Sequence, residues 1–239
     1  NGSNIQGAAA DSEIDTTRAS VVLVYADSTK GWLYTNESNV ADLGPSYVTA
    51  TGGTESTTGN YKIHTFNSSS NFVVSDGGNA AGSNKVSYLV IAGGGGGSGG
   101  IAYQETATIT PATDYTVTVG AGGSEATDHS EGGSNVADSG SNSVFSGAGV
   151  STMTAFGGGG GAGYHNAYTH GAAGGSSGGC EGQSHSGTHA QTATKGTGGS
   201  SHYGEANGAG SLGSPHHAGG GGGTGEVGGT DGTGHGGDG

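Results

Sequence analysis

The chain has 239 residues, of which 58 are glycine and only 29% are hydrophobic, so a conventional apolar core cannot run through all of it. Its formal charge of −14 sets 19 acidic residues against Arg18, Lys30, Lys62, Lys85 and Lys195, a balance that repels nucleic-acid phosphates and anionic lipid headgroups. No apolar run nears the roughly 20 residues that cross a bilayer as a helix, and one cysteine, Cys180, excludes an intrachain disulfide framework or a thiolate metal cluster.

Helical periodicity is absent, and the first part of the chain reads as short strands between turn residues. Val21-Val22-Leu23-Val24-Tyr25 and Trp32-Leu33-Tyr34 flank Asp27-Ser28-Thr29-Lys30-Gly31, whose Asp, Ser and Gly suit a tight reversal, which predicts a β-hairpin. Strands resume over residues 61–66 and 71–75, and the Ser68-Ser69-Ser70 link between them predicts a second hairpin. Residues 85–92 end apolar on both faces, the pattern of a strand in the middle of a sandwich. Residues 101–109 and 115–119 give two more strands across a turn marked by Pro111, and Val144-Phe145 and residues 153–156 complete the β signals.

Glycine is concentrated in the second part of the chain: ten glycines precede Gly93 and the other 48 lie from there to Gly239. Twice, at residues 93–97 and 157–161, a hydrophobic strand empties into five consecutive glycines. Beyond Phe156 only Leu212 and Val227 are bulky aliphatics, so this tail cannot fold around an apolar interior. A β-sheet gains little from glycine, which brings no cross-strand side chains. Collagen is excluded because 3 prolines and no Gly-X-Y register are present. The remaining ordered form is a bundle of polyproline II-type helices with three residues per turn, whose outward N–H and C=O groups pair with neighbours. In such a bundle the runs at Gly93, Gly157 and 219–223 are expected at the centre, with 171–182 and 228–239 nearer the surface.

The residues Tyr61-Lys62-Ile63-His64-Thr65-Phe66, Phe72-Val73-Val74-Ser75, Tyr88 through Gly97, Tyr115 through Gly123 and Thr154-Ala155-Phe156 with the run to Gly161 resemble the glycine-rich domain of phage tail-fibre and related virion proteins. The likeness covers about residues 46–163. The remaining tail is similar to the tip adhesins of T-even-type long tail fibres, and residues 1–45 to small β-modules in tail fibres of marine phages. This resemblance implies a virion location, a host-surface receptor that is a glycan or an outer-membrane protein, and other fibre subunits as partners, with a homotrimer as the expected assembly. The family supplies no catalytic or metal residues.

Nine of the ten histidines follow residue 128. His165 with His170, His185 with His189, and the pair His216-His217 offer nitrogen ligands for a transition metal, especially across copies in a trimer, but the reading favoured over a metal site is solvated loop histidines. No His-x-His pairing aligns them, and no metal is assigned. The tail loops also hold Tyr164, Tyr168 and Tyr203, flat side chains able to stack on sugars or fill receptor pockets, or to pack over glycine faces. The candidate receptor-binding residues are therefore Tyr164, His165, Asn166, Tyr168, His170, His185, His189, His202, Tyr203, His216 and His217. The Gly-Asp pattern near residues 228–239 lacks the aliphatic position of calcium-binding nonapeptides. No glycine run precedes a helix with the Lys-Ser/Thr that holds phosphate. No nucleophile-elbow sequence supports a serine hydrolase, so no enzyme and no cofactor are expected.

The sequence thus predicts an all-β, sandwich-like N-terminal region followed by a polyglycine II helix bundle with no α-helix of note. The expected divisions are a small β module at 1–45, a β-rich domain at 46–156 and a polyglycine-rich bundle at 157–239. The expected role is a tail fibre or its tip adhesin, outside the cell and without membrane insertion. Two other readings stand beside it: an extracellular filament or capsid fibre subunit without a receptor, and an ice-binding glycine bundle, which needs a flat Thr/Ala face. The start at Asn1 and the end inside a glycine run are expected of a piece of a longer polypeptide.

Overall fold

A computed structural model describes Asn4 and residues 19–39, 45–79, 82–126, 137–162, 171–180, 196–207 and 219–229. These residues form strands, turns and extended segments with no helix, and the strands pair in several antiparallel sheets, so the fold is all-β in its described part. The chain divides into one compact unit of residues 1–48 with 77–84 and a second of 49–76 with 85–239.

In the first unit, β1 (Ala19–Asp27) and β2 (Gly31–Asn39) form the expected hairpin, with Tyr25 opposite Trp32 and their rings edge to face at 5.5 Å. The turn is held by Asp27, whose Oδ1 accepts hydrogen bonds from the backbone N–H groups of Thr29 at 2.8 Å and Lys30 at 2.6 Å. Those two bonds, that from Lys30 first, hold the Asp27 carboxyl below its ordinary range. The Trp32 N–H donates to the carbonyl of Asn4 at 2.8 Å, so the edge of β2 is capped beside the turn.

The second unit opens with β3 (Val48–Thr51), β4 (Thr54–Thr58), β5 (Tyr61–Thr65) and β6 (Ser70–Gly77). Here the expected hairpin of 61–66 with 71–75 gives way to a different pairing. β5 pairs instead with β4 across Gly59-Asn60, a two-residue loop in which Gly59 has φ 58°. That local closure leaves β6 free to carry Phe72 and Val74 into the interior, whereas β5 stays exposed. The remaining strands are β7 (Lys85–Ile91), β8 (Ile101–Thr108), β9 (Thr113–Thr118), β10 (Ser143–Gly147), β11 (Val150–Ala155), β12 (Gly196–Thr197) and β13 (Ser201–Tyr203). They make a six-stranded sheet in the order β12-β11-β10-β9-β6-β3 and a three-stranded sheet in the order β13-β8-β7.

Side chains fill the space between these sheets. Tyr115, fully buried, stacks on Phe145 at 5.6 Å, and Phe145 in turn meets Tyr88 of β7 at 4.4 Å. The Tyr115 hydroxyl accepts from the Thr110 N–H at 2.9 Å and donates to the Ala148 carbonyl at 3.1 Å, which satisfies the polar tip of a buried phenol. Met153, Ala155, Ala102 and Ala92 form a second cluster, capped by Tyr88 and Val90.

The glycine-rich segments are held differently. Ala137 and Gly140 donate to the carbonyls of Gly161 and Gly158, and Ala172 and Gly175 to those of Gly160 and Gly157. Likewise Gly159 and Ala162 donate to Ser176 and Gly179, and Gly220 and Gly223 to Gly229 and Glu226. In each of these pairs both donors and acceptors stand three residues apart in sequence, whereas a β-ladder repeats every second residue. The space around residues 157–161 has the same spacing. A Cβ on Gly157 or Gly160 would lie 1.8 or 1.7 Å from the carbonyl oxygens of Gly140 and Ala137. One on Gly158 would lie 2.2 Å from Gly97 O, and one on Gly159 1.8 Å from Ala172 O.

Residues 174–178, expected nearer the surface, are buried. Ser176, fully buried, sits 2.8 Å from the hydroxyl of Ser98, donates to Gly223 O at 2.7 Å and accepts from the Glu205 N–H at 3.2 Å. Its hydroxyl thereby ties its own segment to those of Ser98, Glu205 and Gly223.

Candidate binding surface

The three-stranded sheet has one face on the core and one on solvent. Cross-strand register decides which residues share the outer face, because directly opposed residues point the same way. Ile91 lies opposite Ile101, and Ile101 opposite Tyr203; two residues along, Leu89 lies opposite Tyr103, and Tyr103 opposite Ser201. The alternate positions, Tyr88, Val90 and Ala102, belong to the buried cluster. The outer face therefore presents Leu89, Ile91, Ile101, Tyr103 and Tyr203, of which Leu89 and Ile91 are each 55% exposed and Tyr203 49%.

This placement revises the reading of residues 85–92 as a mid-sandwich strand. β7 is the edge strand of its sheet, and only one of its two apolar faces is covered. Sequence alternation showed that both faces were apolar, but it could not show that nothing in the described chain lies over the second one. A contiguous exposed apolar patch on a protein in water is a candidate interaction surface.

Local structure explains how Tyr203 arrives there. After β12 the chain turns through Gly198 and Gly199, whose φ values of 73° and 78° fall in the left-handed region that glycine alone adopts freely. At Gly199 a Cβ would also lie 2.4 Å from the Met153 sulfur, so the return strand can cross the core only without a side chain at that point. The Ser200 N–H then donates to the Tyr103 carbonyl at 2.7 Å, setting β13 in register on β8. Tyr203 faces outward, while His202 opposes Ala102 and turns inward with its Nε2 buried and unpartnered among the described residues.

The periphery of the face is polar. Lys85 bonds the Thr108 hydroxyl, and the Ser87 hydroxyl bonds the Glu105 carbonyl. Tyr88, below the face, has its phenol pushed above the ordinary value of 10.0, by burial first and then by the neighbouring Tyr115.

Of the residues singled out from sequence, His202 and Tyr203 are thus placed on β13. Tyr164, His165, Asn166, Tyr168, His170, His185, His189, His216 and His217 lie outside the described residues. Among the described residues no group of three or more His, Cys, Asp or Glu side chains is arranged to hold a metal ion. A family model described as a glycine-rich domain matches residues 53–239. No curated protein and no solved structure matches the chain.

Proposed function

We propose that this chain, which belongs to the glycine-rich domain family, is a rigid, non-enzymatic part of a bacteriophage virion, a tail fibre or its adhesive tip, that meets the host cell surface; the phage role rests on the sequence resemblance of residues 46–163 and not on the family match. In this reading the glycine-rich segments are polyglycine II helices packed side by side into a bundle. The observation that carries it is the recurrence of backbone hydrogen bonds at every third residue in pairs of neighbouring segments. Three residues per turn is the repeat of that helix, and a helix without internal hydrogen bonds must bond its neighbours.

A scaffold bonded in this way resists bending and needs little apolar sequence, which suits an extracellular fibre. The outer face of Leu89, Ile91, Ile101, Tyr103 and Tyr203 then serves as receptor contact, together with the His- and Tyr-bearing loops of the tail. Rigid aromatic side chains on strands lose little entropy on binding and dominate interface energetics. The receptor is a glycan or an outer-membrane protein, and the other partners are subunits of the same fibre.

Binding of the labelled 239-residue chain to a panel of intact bacteria tests this reading. Saturable binding to a susceptible strain is expected, lowered about tenfold or more by replacing Leu89, Ile91 and Tyr203 together with Thr, Thr and Ser. Absence of binding to every strain at every salt concentration removes the host-surface role. For the bundle, slow amide exchange through residues 157–161 and 174–178 is expected, and exchange at the rate of a free peptide there removes it.

A further inference from the structure

We infer that two copies of the chain associate through β1, pairing their β1 strands antiparallel into one four-stranded sheet. This interaction is separate from the receptor-binding face and does not depend on it.

The hairpin of β1 and β2 is a two-stranded sheet by itself, and such a ribbon is marginally stable in water; three or more strands are needed for independent stability. Yet it is apolar on both sides. Leu23 is opposite Tyr34 and Tyr25 opposite Trp32, while Val22 and Val24 alternate with them. Val22, Leu23, Val24, Tyr25 and Trp32 are 53%, 39%, 51%, 49% and 41% exposed. Strands apolar on both faces are normally covered on both faces by other parts of a protein assembly.

The edge of β2 is met by the Asn4 carbonyl at Trp32, but among the described residues no backbone group bonds the outer edge of β1. No proline, lysine or inward charge lies between Ser20 and Ala26 to blunt the edge, although the pairing with β2 shifts register between Val22 and Leu23 and between Tyr25 and Asp27. Residues 1–18 hold only Ile5 and Ile14 as bulky aliphatics, too few to supply an alternating apolar strand.

Charge selects the occupant. β1 is neutral from Ala19 to Ala26, with Arg18 before it and Asp27 at its end. A second β1 laid antiparallel brings each Asp27 beside the Arg18 end of the other copy, whereas a parallel copy sets like charges side by side. The register centred on Leu23 faces Leu23 with its counterpart, Val22 with Val24 and Val21 with Tyr25, and closes on a two-fold axis.

Cysteine trapping on the 239-residue chain tests both association and register. On a Cys180→Ala background, Leu23→Cys places two thiols directly opposite, with Cα atoms about 4.5–5.5 Å apart, within disulfide reach. Val22→Cys places them on the diagonal, about 7–8 Å apart, beyond it. Expected are a sedimentation mass of two chains for the unmodified protein and, under mild oxidation, covalent dimer at least tenfold faster from Leu23→Cys than from Val22→Cys. A monomer at 100-fold above micromolar concentration, a trimer, or equal trapping at the two positions overturns the proposal.

Discussion

Around Tyr115 and around Gly159 the same chain reaches full burial by opposite means. At Tyr115 the interior is made of side chains: rings stack on Phe145, and Met153 fills the space below Tyr88. At Gly159 the interior is made of backbone, with carbonyl oxygens where side chains would otherwise be and amides bonded to the next segment. The first region is stabilised chiefly by removing apolar surface from water. The second offsets the large conformational entropy of glycine only by dense pairing of peptide groups. Tolerance to substitution should therefore invert between them. Near Tyr115 removing atoms does harm; near Gly159 adding a single methyl does.

The largest expected effect lies in the backbone-packed region. Gly160→Ala puts a Cβ 1.7 Å from the Ala137 carbonyl oxygen, so whole segments must separate, and a loss of about 4 kcal/mol or more is expected. Gly161→Ala, one residue on, meets nothing nearer than Gly96 Cα at 3.8 Å and is expected to change stability by no more than about 0.5 kcal/mol. Chemical denaturation of both variants tests the contrast. Equal effects at the two positions would mean that residues 157–161 are not held by close backbone contact. In the side-chain region the corresponding change is a deletion. Met153→Ala leaves a cavity between the sheets and is expected to cost about 2–5 kcal/mol by the same measurement.

These two regions were unequally legible in the sequence. Val21 to Tyr25 and the Asp27 turn announced their hairpin because both signals are local: β-branched residues, then a side chain that caps its own turn. The partner of β5 was also locally encoded, by Gly59-Asn60, but the polar Thr54–Thr58 gives no apolar alternation and so does not look like a strand. The outer face of β7 depends on which strands lie over it, a question of distant pairing with β8 and β13 that alternation alone does not answer. Tyr203 could be picked as an exposed aromatic, yet its neighbours Leu89 and Ile91 could not, because buried and uncovered apolar faces have the same sequence pattern. In the glycine runs composition excluded a side-chain core, while the order of segments had no sequence signal at all, since one glycine is like another.

The smallest effect, and the most selective, comes from pH. The Tyr88 phenol titrates above its ordinary value because burial against the sheet core disfavours the phenolate, with Tyr115 adding to the shift. A raised folded-state value means that its contribution to stability is fully present below about pH 10, the unfolded value, and is lost as pH rises through the folded one. The described glycine segments at 157–161 and 171–178 carry no ionising side chain and have no reason to respond in that range. Between neutral pH and pH 11, amide exchange read at low temperature should therefore accelerate beyond its intrinsic base-catalysed rate in β7 and β10 before it does so in those segments. Tyr88→Phe should remove the difference, because the ring remains against Phe145 while the titrating hydroxyl is gone. Simultaneous loosening of both regions in the wild type would mean that the two kinds of interior unfold as one cooperative body, and that the division between them is one of composition and not of stability.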